Sequence, residues 1–189
     1  MIDLTSLIIN NPFAPIFLLV IVMVIYTIII KNRFVRLENK VKQSKSSIDV
    51  YLTKRFELIP NLVETVKGYM KHEEKVLETL TEKRSIYLQN KDLAVGKDLN
   101  DNMKTIFATA EGYPDLKASE NFLSLQKALK DTESDIEASR RLYNSDVTLY
   151  NNFIDTFPYS MFAIIFGYSK KYDLFEAASG ARNNVNVKL

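Results

Sequence analysis

Charged side chains are absent from residues 4–30. Within this stretch, residues 13–30 are apolar except for Pro15 and Thr27. At a rise of 1.5 Å per residue, a helix over these residues is about 27 Å long, close to the hydrocarbon thickness of a bilayer. The pattern predicts a transmembrane helix over residues 13–30, preceded by a short N-terminal segment, residues 1–12.

A cleaved signal peptide is the main alternative for this apolar segment. Such a peptide needs a positively charged start and small residues before the cleavage point. The chain begins Met-Ile-Asp-Leu-Thr-Ser, without a basic side chain, and three isoleucines occupy residues 28–30. A buried core helix is a further alternative, but such a helix rarely lacks charge on every face. We therefore expect an anchor that stays on the chain.

Beyond residue 30, apolar residues recur at alternating spacings of three and four, the period of one face of a packed helix. Asp146 is the one charged residue in these two stripes, and Pro60 falls inside the first. The first stripe comprises Leu52, Phe56, Ile59, Val63, Val66, Met70, Leu77 and Leu80, and the second Phe122, Leu125, Leu129, Thr132, Ile136, Ser139, Tyr143, Asp146, Tyr150, Phe153 and Phe157.

Glycine and proline divide the rest of the chain into helical segments of similar length. These segments cover residues 31–67, 71–111 and 116–157, and a break of the middle segment near residues 89–97 gives four helices instead of three. Matched lengths and short connections are typical of antiparallel bundles. The predicted fold is all-α, with an N-terminal transmembrane helix followed by an elongated antiparallel bundle of three to four long helices.

Pro60 leaves two descriptions of the first helix of the bundle open. In one, the helix kinks and loses the hydrogen bond from position 60 to the carbonyl of Phe56. In the other, a new helix starts at Asn61, with Glu64 placed like the far half of a capping box. The apolar stripe continues without a break through Pro60, which favours the kink.

The predicted bundle occupies residues 31–158, and an aromatic-rich segment, residues 159–189, follows it. Residues 159–168 are almost entirely apolar but too few to span a bilayer. Packing of this stretch on the bundle is favoured, and docking of a partner is the alternative, because aromatic residues are enriched at interface centres. The candidate docking residues are Tyr159, Phe162, Phe166, Tyr168, Tyr172 and Phe175.

The charge of the chain is close to balanced, with 25 Lys and Arg against 23 Asp and Glu among 189 residues. All the basic residues come after residue 30, and six lie within the next fifteen positions. The positive-inside rule then places the C-terminal body in the cytoplasm and the N-terminus outside. The same residues could bind anionic lipid headgroups, or they could simply set topology and solvate a helix. This exit cluster is Lys31, Arg33, Arg36, Lys40, Lys42 and Lys45.

Few residue types that support catalysis or cofactor binding are present. The chain has no Cys and one His, His72, so Cys-ligated zinc, thiol catalysis and His-rich metal sites are excluded. Glu73 and Glu74 beside His72 point in different directions on a helix and make a poor metal site. Asp131, Glu133, Asp135 and Glu137 surround a helix, with Glu137 and Arg141 spaced as a surface pair. We expect no cofactor, no metal, no enzyme activity and no nucleic-acid partner.

Several blocks of the sequence resemble the LemA family. Residues 46–73 (SSIDVYLTKRFELIPNLVETVKGYMKHE) resemble the family signature, and residues 113–126, 132–144, 150–158 and 175–176 resemble its later blocks, in the family's order. Two features depart from the family pattern. Lys45 stands where the family usually has Trp, and residues 91–99 are less Ala-rich than is typical.

The resemblance implies a bacterial single-pass membrane protein with a cytoplasmic helical bundle and without an established enzymatic activity. One branch of the family acts in magnetosome biogenesis, and others accompany membrane proteolysis or stress genes. From these features we expect a scaffold or adaptor whose partners are the lipid bilayer and membrane or cytoplasmic proteins, such as membrane protease or stress systems. A lipid-interacting, membrane-shaping protein that uses the exit cluster is the alternative.

Overall fold

The computed structural model describes residues 13–70 and 73–175. Within these ranges the chain is all-α, as the sequence predicts, and contains no strand. Residues 1–12, His72 and the end of the predicted C-terminal segment, residues 176–189, lie outside the described residues. The helices are α1 (Ala14–Glu57), α2 (Ile59–Lys67), α3 (Glu74–Asn90), α4 (Leu93–Ala110), α5 (Pro114–Lys117), α6 (Glu120–Asp155) and α7 (Tyr159–Phe166).

The predicted break of the middle helix occurs between α3 and α4, inside residues 89–97. α3 ends at Asn90, and Lys91 adopts a left-handed conformation with φ of 52°. Asp92 then caps α4, because its side chain accepts a hydrogen bond from the N–H of Ala94 at 2.8 Å. The four-helix alternative is therefore the one that the structure adopts, with the short helices α2, α5 and α7 in addition.

The chain forms two compact units. Of the described residues, 13–42 and 143–175 form one, here called the terminal unit. Residues 43–142 form the other, the central unit. The predicted segment boundaries near residues 30 and 158 concern membrane position and partner docking, and they stay predictions.

The first part of α1 belongs to the terminal unit and is exposed on all sides. Large apolar side chains from Phe13 to Ile29 have exposed fractions between 39% and 71%. Pro15 lies in the first turn, where a missing N–H breaks no helical bond. The Thr27 hydroxyl donates to the Met23 carbonyl oxygen at 2.8 Å, so its polarity is satisfied within the helix. This segment therefore differs from a core helix, which would bury one face.

The first predicted stripe forms the core of the central unit. Seven of its residues are buried, and Leu62 is buried in place of the half-buried Val63. Phe56 meets Tyr87 of α3 edge to face at 4.6 Å, and Gly96 of α4 lies beside both rings. α3 contacts α2 on one side and α4 on the other.

The helix at Pro60 is interrupted by a single residue, Leu58. Its backbone dihedrals, φ −78° and ψ −13°, remain helical, and no side chain caps α2. The first helix therefore ends at Glu57 and a second begins at Ile59, with Pro60 in its first turn, two residues before the alternative start at Asn61. The Phe56 carbonyl, which loses its donor at Pro60, accepts a hydrogen bond from Arg84 Nε at 2.9 Å.

The second stripe lies along α6 and is buried from Phe122 to Tyr143. Farther along, Val147 is buried while Asp146 is half-buried. The prediction that Phe157 belongs to this stripe is wrong, because its side chain is 76% exposed. The physical reason is that α6 ends at Asp155, so Phe157 lies in the turn before Pro158 and does not share the helix face.

Candidate functional site

The exit cluster lies along α1, and all six of its side chains are exposed. Arg33, Arg36 and Lys40 share one side of the helix by their spacing, and Lys31 and Lys42 share the opposite side. Lys45 belongs to the central unit. The structure therefore distributes the cluster around the helix instead of gathering it into one pocket.

Two members of the exit cluster bind other groups of the terminal unit. The guanidinium carbon of Arg33 lies 5.1 Å from the ring centroid of Phe153, a cation–π distance. Lys42 Nζ lies 2.8 Å from Glu38 Oε1, and this hydrogen bond raises the pKa of Lys42. Glu38 also accepts a hydrogen bond from the Tyr172 hydroxyl at 3.3 Å. Glu38 therefore binds the exit cluster through Lys42 and the C-terminal segment through Tyr172. The described part of that segment, residues 159–175, is here called the tail.

The six candidate docking aromatics are half-buried, and each packs on another ring of the terminal unit. Tyr168 stacks on Phe34 at 5.1 Å with an interplanar angle of 7°. The other ring pairs are Tyr26–Phe162, Phe34–Phe166, Phe153–Tyr159, Tyr143–Phe175 and Tyr150–Tyr172. Their inward faces contribute to packing, and a docking role for them stays a prediction.

Two asparagines of α6 hold the tail by its main chain. Asn151 accepts from the Tyr172 N–H at 3.1 Å and donates to the Tyr172 carbonyl at 2.9 Å. Asn144 makes the same pair of bonds with Phe175, at 2.8 and 3.1 Å. The asparagines are seven residues apart, two helical turns, and so share a face. Sequence reasoning missed this pair, since an asparagine on a helix carries no signal for its distant partner.

The outward apolar side chains of the tail differ from the candidate docking residues. They are strongly exposed, whereas the candidates are half-buried. Met161, Ile164 and Ile165 lie on one face of α7 by their spacing, and Phe162 and Phe166 lie on another, so the helical period could have separated the two sets. These exposed side chains are Phe157 (76%), Met161 (57%), Ile164 (75%) and Ile165 (71%).

A groove of about 680 Å³ opens between α2 and α3 in the central unit. Its floor is apolar: Met70 and Leu77 are buried and Val63 is half-buried. Its volume lies within the range of ligand-binding clefts. These three residues belong to the first predicted apolar stripe, and the stripe gives no signal for an opening beside them.

The rim of this groove is acidic along α3. Three exposed glutamates recur every fourth residue and form one straight row about 12 Å long. Lys67 lines the groove from α2. The groove therefore combines an apolar floor with a mostly negative edge, and its rim glutamates are Glu74, Glu78 and Glu82.

The titratable groups of the described residues are paired or dispersed. Across residues 13–70 and 73–175, no group of three or more His, Asp or Glu side chains is placed to hold a metal ion. Arg55 and Glu133 form an ion pair in the central unit, and burial, with the charge of Arg140 second, lowers the pKa of Arg55. Glu137 and Arg141 form the expected surface pair at 3.8 Å.

Together these features define a class of all-α protein. One described helix is long and apolar enough to cross a membrane. The bundle that follows has a surface groove, and the described residues contain no clustered metal ligands. The chain belongs to the LemA family, whose model matches residues 44–189. The family is not a known enzyme family.

A curated relative agrees with this assignment. The chain is 29% identical over 156 residues to Protein LemA of Metamycoplasma hominis, and the match covers 78% of this chain and 67% of the relative. The family match begins at residue 44, after the apolar helix and most of the exit cluster. The family model therefore matches residues after the apolar segment and does not depend on that segment.

Proposed function

We propose that this protein is a membrane-tethered, non-catalytic adaptor that binds a partner protein in the groove between α2 and α3. The single observation that carries the proposal is the groove itself, which pairs an apolar floor with a row of three glutamates. Supporting it, the apolar part of α1 is exposed on all sides, as expected of a helix whose surroundings are lipid.

A basic amphipathic helix is the occupant that fits this groove. Its apolar face would cover Met70 and Leu77, and Lys or Arg residues spaced by four would face the glutamate row. Membrane or cytoplasmic proteins, such as components of membrane protease or stress systems, are the proposed partners. Their location at the same membrane would raise their effective concentration at the groove.

The proposed location is the cell membrane, with a single pass, the N-terminus outside and the bundle in the cytoplasm. The distribution of basic residues supports this orientation, because they follow the apolar segment closely and none precedes it. Protease added outside sealed cells should leave residues 31–189 intact. Digestion of the bundle under these conditions would reverse the orientation.

Site-specific photocrosslinking in intact cells tests the adaptor proposal. A photoreactive residue at Glu78 or Thr81, beside the groove, should give discrete crosslinked proteins. The matched control is the same residue at Lys127, which is exposed on α6 and does not line the groove. Exchange of the rim charge by Glu78→Lys with Glu82→Lys should remove the products from Thr81. Equal products from Lys127, or none from the groove, would refute the proposal.

A membrane-shaping function through the exit cluster is the second candidate. It is favoured by the exposure of all six basic side chains, each worth about 1 kcal/mol of attraction near an anionic surface. Residues 31–189 without the anchor should then bind vesicles of phosphatidylglycerol at low salt and release them at high salt. A fragment that ignores these vesicles removes this function and leaves the adaptor proposal in place.

A further inference from the structure

The position of α7 beside the apolar segment of α1 is unusual for a helix that ends a soluble bundle. The ring of Phe162, in the middle of α7, lies 6.1 Å from the ring of Tyr26. Tyr26 belongs to the predicted transmembrane segment, residues 13–30. Four residues, or about 6 Å of helix rise, separate it from the end of that segment.

Both flanks of α7 return to the level of Phe34. After the helix, Tyr168 stacks on Phe34 at 5.1 Å. At its first residue, Tyr159 stacks on Phe153 at 4.3 Å, and Phe153 lies 4.8 Å from Phe34. α7 is therefore the point at which the chain reaches farthest along α1 toward the apolar segment, and it then turns back.

The outward face of α7 is left uncovered by the described residues of the terminal unit, 13–42 and 143–175. Met161, Ile164 and Ile165 occupy one face by their spacing, and all are more than half exposed. The inward face carries Phe162 and the buried Ala163. With eight residues, α7 is about 12 Å long, too short to cross a bilayer.

From this placement we propose that α7 inserts into the cytoplasmic leaflet as a second membrane contact, lying in the interface beside the exit end of α1. The inference rests on the proposed membrane anchor and goes beyond it. Interfacial helices bury their apolar face about 5–10 Å into the boundary between headgroups and acyl chains. A helix at the level of Tyr26 meets this depth.

The charges that flank α7 fit the same occupant. Lys170 and Lys171 follow the helix and are exposed, and Arg33 and Arg36 of the exit cluster are exposed on α1 in the same unit. Cations at this level attract the headgroups of anionic lipids. The bilayer that surrounds α1 therefore extends naturally over the outward face of α7, whereas a protein partner would have to displace these lipids.

Tryptophan quenching by lipid tests this inference, because the chain contains no Trp of its own. Full-length protein carrying Ile164→Trp is reconstituted into phosphatidylcholine and phosphatidylglycerol vesicles that contain brominated phosphatidylcholine. Ile25→Trp reports on the anchor, and Leu149→Trp is the matched control, since Leu149 is also more than half exposed and lies on α6 of the same unit. We expect strong quenching at positions 164 and 25 and little at position 149.

The other outcomes separate the inference from the anchor. Quenching at position 25 without quenching at position 164 overturns the insertion of α7 and leaves the anchor intact. Absence of quenching at position 25 overturns both. Because tryptophan itself favours interfaces, Ile164→Cys in the cysteine-free chain is alkylated with a water-soluble reagent in a parallel experiment. Reaction there as fast as at Leu149→Cys contradicts insertion, and protection without lipid quenching shows a protein partner instead.

Discussion

At the scale of single residues, Arg84 makes a hydrogen bond that no local sequence pattern predicts. Pro60 has no N–H, so the carbonyl of Phe56 loses its usual donor inside a buried part of the helix. Arg84 Nε supplies the missing hydrogen bond from α3. An unsatisfied buried carbonyl costs about 1–3 kcal/mol, so we expect this contact to stabilise the helix interruption at Leu58.

Replacement of Arg84 by methionine should lower the free energy of unfolding by about 1–2 kcal/mol. In the background of Pro60→Ala, position 60 regains its N–H. Arg84→Met should then lower the free energy of unfolding by less than half as much. Chemical denaturation in detergent of the four proteins of this cycle gives the coupling. Arg141→Met, at an exposed surface pair, is the control and should change stability by no more than about 0.5 kcal/mol. Additive effects of Arg84→Met and Pro60→Ala would contradict the proposed capping.

Asn151 is a second residue whose role becomes visible only in three dimensions. Asn151→Ala removes two hydrogen bonds to the main chain of Tyr172 and should weaken attachment of the tail by about 1–2 kcal/mol. Hydrogen exchange of the Tyr172 amide should accelerate about tenfold for each 1.4 kcal/mol lost. Asn152→Ala, at the exposed neighbouring position, should leave this exchange rate unchanged. Equal rates in both variants would mean that Asn151 does not contribute to attachment of the tail.

At the scale of elements, the close approach of α3 and α4 depends on a missing side chain. A Cβ built on Gly96 would lie 3.0 Å from the Tyr87 ring and 3.7 Å from Phe56. Tyr87 is itself buried and packed edge to face on Phe56, so its ring has little room to move. Gly96 therefore sets the distance between the two helices at this point.

Gly96→Ala should destabilise the protein by about 1 kcal/mol or more, although alanine is the better helix former. Gly68→Ala is the matched control. Gly68 has φ of −69°, and an added Cβ there meets nothing within 4 Å. Gly68→Ala should stabilise the protein by about 0.5 kcal/mol, because alanine lowers the conformational entropy of the unfolded chain. Thermal unfolding in detergent measures both, and a gain in stability from Gly96→Ala would show that Tyr87 can shift.

The helices were predictable from the sequence where apolar residues recur at a regular spacing of three and four. Phe122 to Tyr143 keeps one period and is buried as expected, and the break near Asp92 was visible from its turn-forming residues. Phe157 was not predictable, because the end of α6 interrupts the period without a change in residue type. The groove was not predictable either, since an opening between α2 and α3 depends on how two faces meet and not on which residues are apolar.

At the scale of the whole molecule, buried phenols connect stability to pH. Five described tyrosines, distributed over both units, have a raised pKa with burial as the main cause. Burial raises the pKa of Tyr150 to about 12, and its hydroxyl donates a hydrogen bond to the Tyr168 carbonyl oxygen. The five are Tyr87, Tyr113, Tyr143, Tyr150 and Tyr172.

Stability should therefore fall as pH rises from 10 to 12. Below pH 10 the phenol of Tyr150 is neutral in both states, and between pH 10 and 12 the unfolded chain loses a proton that the folded chain retains. We expect Tyr150 to contribute about 1 kcal/mol to this loss, because its hydroxyl is only partly removed from solvent. Denaturation at pH 8 and pH 11 should show a smaller decline for Tyr150→Phe than for the control Tyr69→Phe, at an exposed position. An equal decline would assign the effect to other groups.

The paired hydrogen bonds of Asn144 and Asn151 also determine which substitutions the tail can accept at positions 172 and 175 during evolution. Both asparagines bind the peptide N–H and carbonyl of the tail, so they recognise a backbone and are indifferent to the side chains it carries. Nineteen residue types offer the same two atoms, and proline alone does not. Positions 172 and 175 can therefore accept other aromatic residues that fill the same ring contacts, whereas proline is excluded at both positions.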